Sequence, residues 1–294
     1  MTEPRAASTI GFVGLGHMGA PMTRRLIEAG FAVQAYDVVE AARAGAVAAG
    51  ATEAVDLAAA GRGADAVILM LPNSAIVASV LRDPMLIDAL APGTLVIDMS
   101  SSEPLKTREL AAALAESGIR MVDAPVSGGV KGAENGTLTI MVGGTDDDVT
   151  EAWPVFAALG KPVHAGSIGS GHAVKALNNL LSATHLLATS EAMVAGQKFG
   201  LDPEVMLSIF NGSSGRSGST ENKWPNFILP ERYDSGFGLR LMLKDMKIAV
   251  QLAEQAGSPS ELGADAVAIW ERAANDLPAP ADHTEIARWL VQKA

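Results

Sequence analysis

Cysteine is absent from this chain, which excludes disulfide bonds, thiolate metal ligands and a cysteine nucleophile. Aromatic residues make up only 4% of the 294 residues, and the apolar residues that replace them are small or aliphatic. This composition suits helix–sheet and helix–helix packing better than a β-sandwich. Apolar runs such as residues 66–71 fall far short of the roughly 18 residues that a membrane span needs. The five histidines have no metal-ligand spacing such as HxxxH, so no metal is expected.

Positive charge is also scarce. The chain has 22 Lys and Arg against 33 Asp and Glu, its formal net charge is −11, and its basic residues form no run. A protein that binds nucleic acid needs a basic face, so nucleic acid is excluded as a partner, whereas a single small anion held by local donors is not. The first nine residues are polar and lack the apolar core of a signal peptide, which predicts a cytoplasmic protein.

Short apolar runs alternate with amphipathic stretches in the first half of the chain. Nearly continuous apolar strands separated by helices predict a parallel sheet that is covered on both faces. The predicted strands are 9–15, 31–37, 66–71, 94–100, 119–126, 137–144 and 162–166, and the predicted helices are 20–29, 104–117 and 147–159.

The second half of the chain has helical patterns and no strand pattern. The predicted helices are 172–199, a helix that Asp202 caps, 239–256, 260–275 and 284–292, with a polar loop at 211–219. We therefore predict an α/β fold with two domains. Residues 1–166 form an N-terminal Rossmann-type doubly wound sheet, and residues 167–294 form an all-helical domain that begins with a long interdomain helix.

A G-x-G-x-x-G motif follows the first predicted strand and opens a helix. Its glycines are Gly14, Gly16 and Gly19, and it includes His17 and Met18. The first glycine permits a tight turn, the second lets the backbone approach a pyrophosphate, and the third lets the helix and strand pack closely. The motif predicts a dinucleotide site whose pyrophosphate lies at the helix N-terminus.

Asp37 ends the second predicted strand. A carboxylate at this position accepts hydrogen bonds from the adenosine ribose hydroxyls and repels the 2′-phosphate of NADP, so NAD is the predicted cofactor. Arg43 is the nearest downstream arginine and is expected to lie too far along the chain to reverse this preference. The alternative interpretation is a glycine turn beside a surface aspartate.

Two other strand ends are expected at the same crevice, because ligands bind at the carboxyl ends of parallel strands. Leu71 and Pro72 follow one strand and Ser100 follows the next. We predict that these residues contact the cofactor. The alternative is that they only form turns.

A hydroxyl and two glycines end the strand predicted at 119–126. They are Ser127, Gly128 and Gly129. Consecutive glycines can present backbone N–H groups to an anion, which suits a substrate carboxylate. The alternative is a flexible turn.

The long predicted helix carries a polar stripe made of Lys175, Asn178, Asn179 and Ser182. The spacing i, i+3, i+4 and i+7 puts these residues on one face of an otherwise apolar helix. We expect the stripe to line a ligand cleft, where a desolvated lysine can serve as a general acid/base and Asn179 can hold the substrate hydroxyl or carboxylate. The alternative is a solvent-facing stripe with an ordinary surface lysine.

A third cluster contains Lys244 and Asp245 on an apolar helix. These two residues either reach back to the cleft or form a capping ion pair, and periodicity favours neither interpretation. His172 and His185 are expected to be satisfied core or interface histidines rather than catalytic residues.

Four segments in order along nearly the whole chain resemble those of the β-hydroxyacid dehydrogenase family, which contains 3-hydroxyisobutyrate dehydrogenase and tartronate semialdehyde reductase. The segments are GFVGLGHMGAPM (11–22), DAPVSGG (123–129), GSGHAVKALNNLL (169–181) and GFGLRLMLKD (236–245). The resemblance implies that Lys175 exchanges a proton with the substrate hydroxyl while hydride passes to C4 of the nicotinamide, and that Asn179 positions the substrate. It further implies that residues 127–129 bind the carboxylate, that Lys244 lies near cofactor and substrate, and that helical domains form a homodimer or homotetramer.

The chain departs from this family at Arg25, where relatives commonly have Asn, and the role of Arg25 is left open. Arg216, in a loop of the 3-hydroxyisobutyrate type, is a candidate to contact a second acidic group of the substrate. A tartronate semialdehyde, threonate, serine or sulfolactaldehyde-type reductase or dehydrogenase of the same family is the alternative function. An imine reductase or a non-catalytic dinucleotide-binding protein is disfavoured, because Lys175 is retained.

Overall fold

The computed structural model describes residues 9–293. The prediction made from the polar N-terminal segment concerns residues 1–8 and lies outside the described residues. The chain forms two compact units, Met1–Lys175 and Ala176–Ala294. No helix within residues 9–293 has the length and apolar composition needed to cross a membrane.

The first unit is built on one sheet. Its strands are β1 Thr9–Val13, β2 Ala32–Tyr36, β3 Thr52–Glu53, β4 Ala66–Leu69, β5 Leu95–Asp98, β6 Arg120–Asp123, β7 Val126–Ser127, β8 Leu138–Gly143 and β9 Gly160–Gly166. The order across the sheet is β3-β2-β1-β4-β5-β6-β8-β7, with β9 paired to β8. Strands β1 to β6 run parallel, in the order of a Rossmann fold, which confirms the predicted fold class.

Both faces of the sheet are buried, which explains the continuous apolar runs in the sequence. In β4 and β5, Ile68 and Ile97 pair across the sheet and pack into one core cluster. The preceding residues, Val67 and Val96, point to the other face and pack into a second cluster. Alternate side chains of a strand leave the sheet on opposite faces, so a strand with helices on both sides needs apolar residues throughout.

The strand predicted at 119–126 is two strands in the structure. β6 ends at Asp123 and pairs parallel with β5, whereas β7 pairs antiparallel with β8. Pro125 lies between β6 and β7 and has no N–H group to donate to a sheet. The two-residue strand β3 was not predicted, because so short a strand shows no hydrophobic period.

The helices of the first unit cover this sheet. They are α1 Gly19–Glu28, α2 Glu40–Ala48, α3 Leu57–Gly61, α4 Ser74–Leu81, α5 Pro84–Ile87, α6 Pro104–Glu116, α7 Gly129–Asn135 and α8 Asp146–Leu159. Helix α9, Ser170–Phe199, begins in this unit and continues into the second. The boundary between these two compact units falls inside α9, after Lys175, because the first turn of α9 is hydrogen-bonded to the end of β6. The division of functional tasks near residue 166 stays a prediction.

The second unit is helical. After α9 it contains α10 Pro203–Asn211, a π-helix Ser219–Ile228, α11 Leu239–Gln255, α12 Glu261–Asp276 and α13 Glu285–Lys293. Asp202 caps α10 as predicted, with its Oδ1 accepting from the Val205 N–H at 3.0 Å. The fully buried side chains of Trp270, Leu239 and Met246 belong to the core of this unit. Its described residues form no strand, as predicted, and only one isolated bridge, between Gly238 and Asp282.

Candidate active site

The glycine motif forms a tight turn between β1 and α1. Gly14 has φ +100°, and its N–H donates to the Tyr36 carbonyl at 2.9 Å. A Cβ on Gly14 would collide with the Met70 carbonyl oxygen, and one on Gly19 would collide with the Gly14 carbonyl oxygen. These two glycines are therefore required for the turn itself and for the close approach of helix and strand.

Gly16 differs from the other two glycines because it is exposed and the space beside it is open. A Cβ built on Gly16 meets no atom within 4 Å, and its neighbour His17 is also exposed. The turn leads directly into α1, whose N-terminus favours negative charge. The open space above Gly16 fits a pyrophosphate that approaches the backbone, so these residues fit the predicted dinucleotide.

We expect Gly16→Ala to weaken NAD binding by about tenfold to a hundredfold without destabilising the free protein, because the methyl group enters open space that we assign to the cofactor. Calorimetric titration with NAD and the thermal midpoint of the free protein measure the two effects. Gly45→Ala is the matched control. Gly45 is also exposed with open space beside it, but it lies within α2, where alanine should only stabilise the helix. Unchanged NAD affinity in Gly16→Ala would contradict the assignment.

Asp37 lies at the end of β2 and is held against the glycine turn. Its Oδ2 accepts from the Leu15 N–H at 2.7 Å and its Oδ1 accepts from the Val39 N–H at 2.8 Å. Arg43 lies closer to the strand end than its place in the sequence suggests, because Arg43 Nη1 donates to the Asp37 carbonyl at 2.8 Å. The turn of α2 brings Arg43 back toward the strand end. Its guanidinium also forms an ion pair with Glu53 at 3.0 Å, which offsets its charge.

The ends of β4 and β5 are joined to each other. The Leu71 N–H donates to Ser100 Oγ at 2.9 Å, and the Ser100 N–H donates to Asp98 Oδ1 at 3.0 Å. Ser100 is buried and Pro72 is exposed. The hydroxyl of Ser100 thus fixes the turn after β4. The predicted cofactor contacts of Ser100, Leu71 and Pro72 stay predictions.

Asp123 anchors the start of α9 to the end of β6. It is fully buried, its Oδ1 accepts from the Gly169 N–H at 2.6 Å, and its Oδ2 accepts from the His172 N–H at 2.7 Å. Burial raises the pKa of the Asp123 carboxyl, although the charge of His172 and the two backbone hydrogen bonds lower it in part. Asp123 was not predicted to have this role, because its partners lie more than forty residues away in sequence.

The His172 side chain completes this anchor and is 1% exposed. Its Nε2 lies 3.0 Å from the Ser100 carbonyl, which can only accept, so Nε2 carries a proton. Its Nδ1 lies 2.8 Å from Thr107 Oγ1. His172 is therefore a satisfied core histidine, as predicted. His185 is exposed, so it is not a core residue, and its place in an interface stays a prediction.

The polar stripe of α9 is only partly buried. Lys175 is 7% exposed and Asn179 is 5% exposed, whereas Ser182 is half-buried and Asn178 is exposed. Asn178 is exposed, but its Nδ2 donates to Asn179 Oδ1 at 3.2 Å, so the two neighbouring side chains meet. The alternative interpretation, an ordinary surface lysine at Lys175, is excluded by the burial of that side chain.

A second helix of the helical unit holds Asn179 in place. Asn179 Nδ2 donates to Asp245 Oδ2 at 2.6 Å, and Lys244 Nζ lies 3.2 Å from Asp245 Oδ1. Asp245 is buried in the second turn of α11. The Lys244–Asp245 pair therefore reaches α9 and does not cap its own helix. Asp245, which the sequence analysis named together with Lys244, is thus the residue that holds the Asn179 amide.

The turn after β7 has a backbone that glycine favours. Gly128 has φ +131° and Gly129 has φ +62°, and both residues are exposed, while Ser127 is half-buried. Positive φ at two successive residues is costly for any residue with a side chain. The exposed turn is consistent with the predicted carboxylate site, which stays a prediction.

The two arginines whose roles the sequence left open form ion pairs with nearby glutamates. Arg25 Nη1 lies 2.9 Å from Glu28 Oε2 on α1. Arg216 is exposed and lies 2.6 Å from Glu221 Oε1. Because its guanidinium already has a carboxylate partner, Arg216 is a poor receptor for an acidic group of a substrate. Within residues 9–293, no three His, Asp or Glu side chains are arranged to hold a metal ion.

Two family models match the chain and together span most of it. Residues 9–181 match the NAD binding domain of 6-phosphogluconate dehydrogenase. Residues 169–290 match the model described as NAD-binding of NADP-dependent 3-hydroxyisobutyrate dehydrogenase.

Several relatives match the chain over nearly its full length. The chain is 42% identical to 2-(hydroxymethyl)glutarate dehydrogenase of Eubacterium barkeri, over 89% of this chain and 88% of that protein. It is also 42% identical to the NAD-dependent L-serine dehydrogenase of Pseudomonas aeruginosa, over 89% of this chain and 90% of that protein. A solved structure of 3-hydroxyisobutyrate dehydrogenase from Mycobacterium tuberculosis with L-serine matches at 34% identity and a TM-score of 0.91, covering 97% of this chain and 99% of that one.

Proposed function

This chain belongs to the β-hydroxyacid dehydrogenase family, and on that basis we propose that it interconverts a small 3-hydroxy acid and its semialdehyde or keto acid with Lys175 as general acid/base. Membership makes the protein an NAD-dependent oxidoreductase that acts on a CH–OH group. What remains to be assigned is the role of each residue and the identity of the hydroxy acid.

The burial of Lys175 is the observation that carries this proposal. Lysine is among the residues least often buried in proteins. Here it is buried on α9 one turn before a second buried polar residue, Asn179, which Asp245 holds in place. A buried amine beside a buried, oriented amide supports a reaction site and argues against a purely structural polar stripe.

Each residue then has a defined task. In oxidation, the neutral amine of Lys175 accepts the proton of the substrate hydroxyl, and in reduction the ammonium group returns it to the carbonyl oxygen. Bound NAD supplies the hydride acceptor. Asn179 orients the substrate hydroxyl or carboxylate, and Lys244 neutralises negative charge of substrate and cofactor. The carboxylate itself is assigned to Ser127, Gly128 and Gly129, whose exposed turn supports it.

The remaining cofactor contacts are assigned to the first unit. The open space beside Gly16 supports a pyrophosphate site, and the position of Asp37 at the end of β2 supports recognition of the adenosine ribose. The residues assigned to the cofactor are Gly14, Gly16, His17, Met18, Gly19, Asp37, Leu71, Pro72, Ser100 and Lys244.

The substrate class follows from the chemistry that the relatives' names share. 3-Hydroxyisobutyrate, L-serine and 2-(hydroxymethyl)glutarate all carry a CH₂OH group on the carbon next to a carboxylate. They differ at C2, which bears a methyl, an amino or a carboxyethyl group. We propose a substrate with this shared skeleton. Tartronate semialdehyde, threonate and sulfolactaldehyde-type substrates are the alternatives within the family.

The test is nicotinamide absorbance with a panel of substrates at fixed NAD. The panel contains 3-hydroxyisobutyrate, 3-hydroxypropionate, glycerate, threonate, serine, sulfolactate and 2-(hydroxymethyl)glutarate. We expect turnover of at least one of these acids with NAD, and none with lactate, whose hydroxyl is on C2 rather than C3. Failure of every 3-hydroxy acid, or equal turnover of lactate, would overturn the proposal.

We also propose that residues 1–166 bind NAD, that residues 167–294 serve substrate binding and assembly, and that the protein is a homodimer or homotetramer. Assembly is supported by apolar side chains that the helical unit leaves exposed on α9 and around α10. Phe199 is 84% exposed, and the others are Leu177, Leu181, Leu201, Val205 and Ile209. Exposed apolar patches of this kind often mark protein interfaces. The cytoplasmic location stays a prediction.

A further inference from the structure

A second half-buried lysine of the helical unit, Lys223, is aimed at the polar side of α9. Lys223 lies on the π-helix, and its Nζ donates to Ser182 Oγ at 2.6 Å and lies 3.4 Å from the Ser182 carbonyl oxygen. The next residue, Trp224, is buried in the core and donates its indole N–H to Ser190 Oγ at 3.3 Å. Trp224 therefore fixes this part of the π-helix, an element often found at functional sites.

The ammonium group of Lys223 has only neutral hydrogen-bond partners among residues 9–293, both of them on Ser182, and no carboxylate lies within ion-pair distance of it. Burial lowers the pKa of Lys223 to about 8, although the charge of Asp282 raises it in part. A poorly solvated ammonium without a counter-ion is costly, and an anionic ligand removes that cost.

Asp282 is the nearby carboxylate, but its oxygens accept hydrogen bonds from other groups. Its oxygens accept from the N–H groups of Gly236 and Phe237 at 3.0 and 3.2 Å and from Thr284 N at 2.9 Å. Burial alone would raise the pKa of Asp282, but hydrogen bonds from His283 and Thr284 hold it well below its usual range. Asp282 thus secures the turn before α11 and leaves Lys223 without a direct salt bridge.

The position of Lys223 relative to Asn179 suggests what binds there. Ser182 follows Asn179 by three residues on the same helix, so the two positions are neighbours about 4.5 Å apart along the axis. In a 3-hydroxy acid whose C2 bears a carboxyethyl group, the distal carboxyl carbon lies three bonds from C2, about 4 Å in an extended chain. A substrate oriented by Asn179 can therefore extend a second carboxylate toward Lys223.

We propose that Lys223, together with Ser182, receives a second anionic group of the substrate, so that the enzyme prefers 3-hydroxy acids with a carboxylate on their C2 substituent. This inference rests on the proposed function and adds the substrate class to it. The sequence suggested that Arg216 contacts a second acidic group of the substrate. We assign this role to Lys223 instead, because the Arg216 guanidinium is exposed and paired with Glu221.

The test compares three substrates that differ only at C2. They are 2-(hydroxymethyl)glutarate, 2-(hydroxymethyl)pentanoate, which has a propyl chain without charge, and 3-hydroxyisobutyrate. We expect the wild-type protein to prefer the dicarboxylate in kcat/KM. Lys223→Met should lower kcat/KM for the dicarboxylate by about tenfold to a hundredfold, mainly through KM, because a charge-assisted hydrogen bond is lost. For the other two substrates, kcat/KM should change by less than about threefold, because neither has a second carboxylate for Lys223 to bind.

Two variants control for effects on folding and on surface charge. Lys223→Arg keeps the positive charge and should retain most of the preference. Lys247→Met removes an exposed lysine of α11 that pairs with Glu271, and should leave all three substrates unchanged. Loss of activity on all three substrates in both Lys223 variants would show a structural role for Lys223 and overturn the inference. If the ratio of kcat/KM between the dicarboxylate and the other two substrates is unchanged in Lys223→Met, the inference is also overturned.

Binding of glutarate, which has no hydroxyl to oxidise, separates this inference from the proposed function. Calorimetry with wild-type protein should show glutarate binding that weakens at least tenfold in Lys223→Met, while butyrate binding is unaffected. If glutarate binding depends on Lys223 but no 3-hydroxy acid is turned over, the proposed function is overturned and the anion site is kept. Equal glutarate affinity in the two proteins would overturn the anion site even if turnover is normal.

Discussion

Lys175→Ala is expected to lower kcat by about 10²–10⁴-fold, the usual contribution of a positioned general acid/base. The variant removes the amine that lies one turn before Asn179 on α9. A water molecule in its place would have neither the same geometry nor the same proton affinity. NAD affinity should change little, because the cofactor is assigned to the glycine turn and the strand ends of the first unit.

Two controls make this result specific. Lys175→Arg keeps the charge, but a guanidinium does not release its proton near neutral pH, so it should be as inactive as the alanine variant. Lys198→Ala removes an exposed lysine in the last turn of the same helix and should keep wild-type turnover. Single-turnover kinetics with the preferred 3-hydroxy acid measures the hydride-transfer step, to which the proton transfer is coupled. If Lys175→Ala kept more than about a tenth of the turnover, another residue would have to move the proton.

Asp123→Ala should have the largest effect on stability, lowering the free energy of unfolding by about 3–5 kcal/mol. The substitution leaves the N–H groups of Gly169 and His172 buried without acceptors, and each such loss costs about 1–3 kcal/mol. It also opens a cavity between β6 and α9, where Gly143 and Gly171 pack closely around the carboxylate. Chemical denaturation followed by circular dichroism measures the change.

Asp147→Ala is the matched control for this prediction. Asp147 is exposed in the first turn of α8, so its loss should cost less than about 1 kcal/mol of favourable helix-dipole interaction. Asp123→Asn should fall between the two, because an amide keeps one acceptor oxygen but turns a donor toward a donor. If Asp123→Ala proved as stable as Asp147→Ala, the first turn of α9 would have to be fixed by the His172 ring and packing alone.

The parts of the fold that were predictable are those encoded locally. The parallel strands could be recognised because a strand buried on both faces is apolar at every position, as in Ile68 and its neighbour Val67. The glycine turn could be recognised because Gly14 and Gly19 meet steric demands that no other residue satisfies. The spacing of Lys175 and Asn179 on one helix also followed directly from helical geometry.

The parts that were missed depend on contacts between distant segments. Nothing near Asp123 in sequence indicates that its carboxylate accepts from the N–H groups of Gly169 and His172, which follow three further strands. Lys223 and Ser182 are 41 residues apart, and a π-helix has no period that amphipathic patterns reveal. The exposure of Asn178 was missed because the sequence identified the helix but not the direction of its core-facing side.

Lys175, Asn179 and Ser182 lie on one continuous helix, α9. Their relative positions are therefore fixed when the protein folds, and substrate binding loses no further conformational entropy to align them. Lys223 reaches Ser182 from a separate segment that follows α10 and its loop. The residue at position 223 can therefore change without disturbing the alignment on the helix. New substrate preferences can thus arise by mutation in one part of the chain while the hydride-transfer chemistry is inherited unchanged in another.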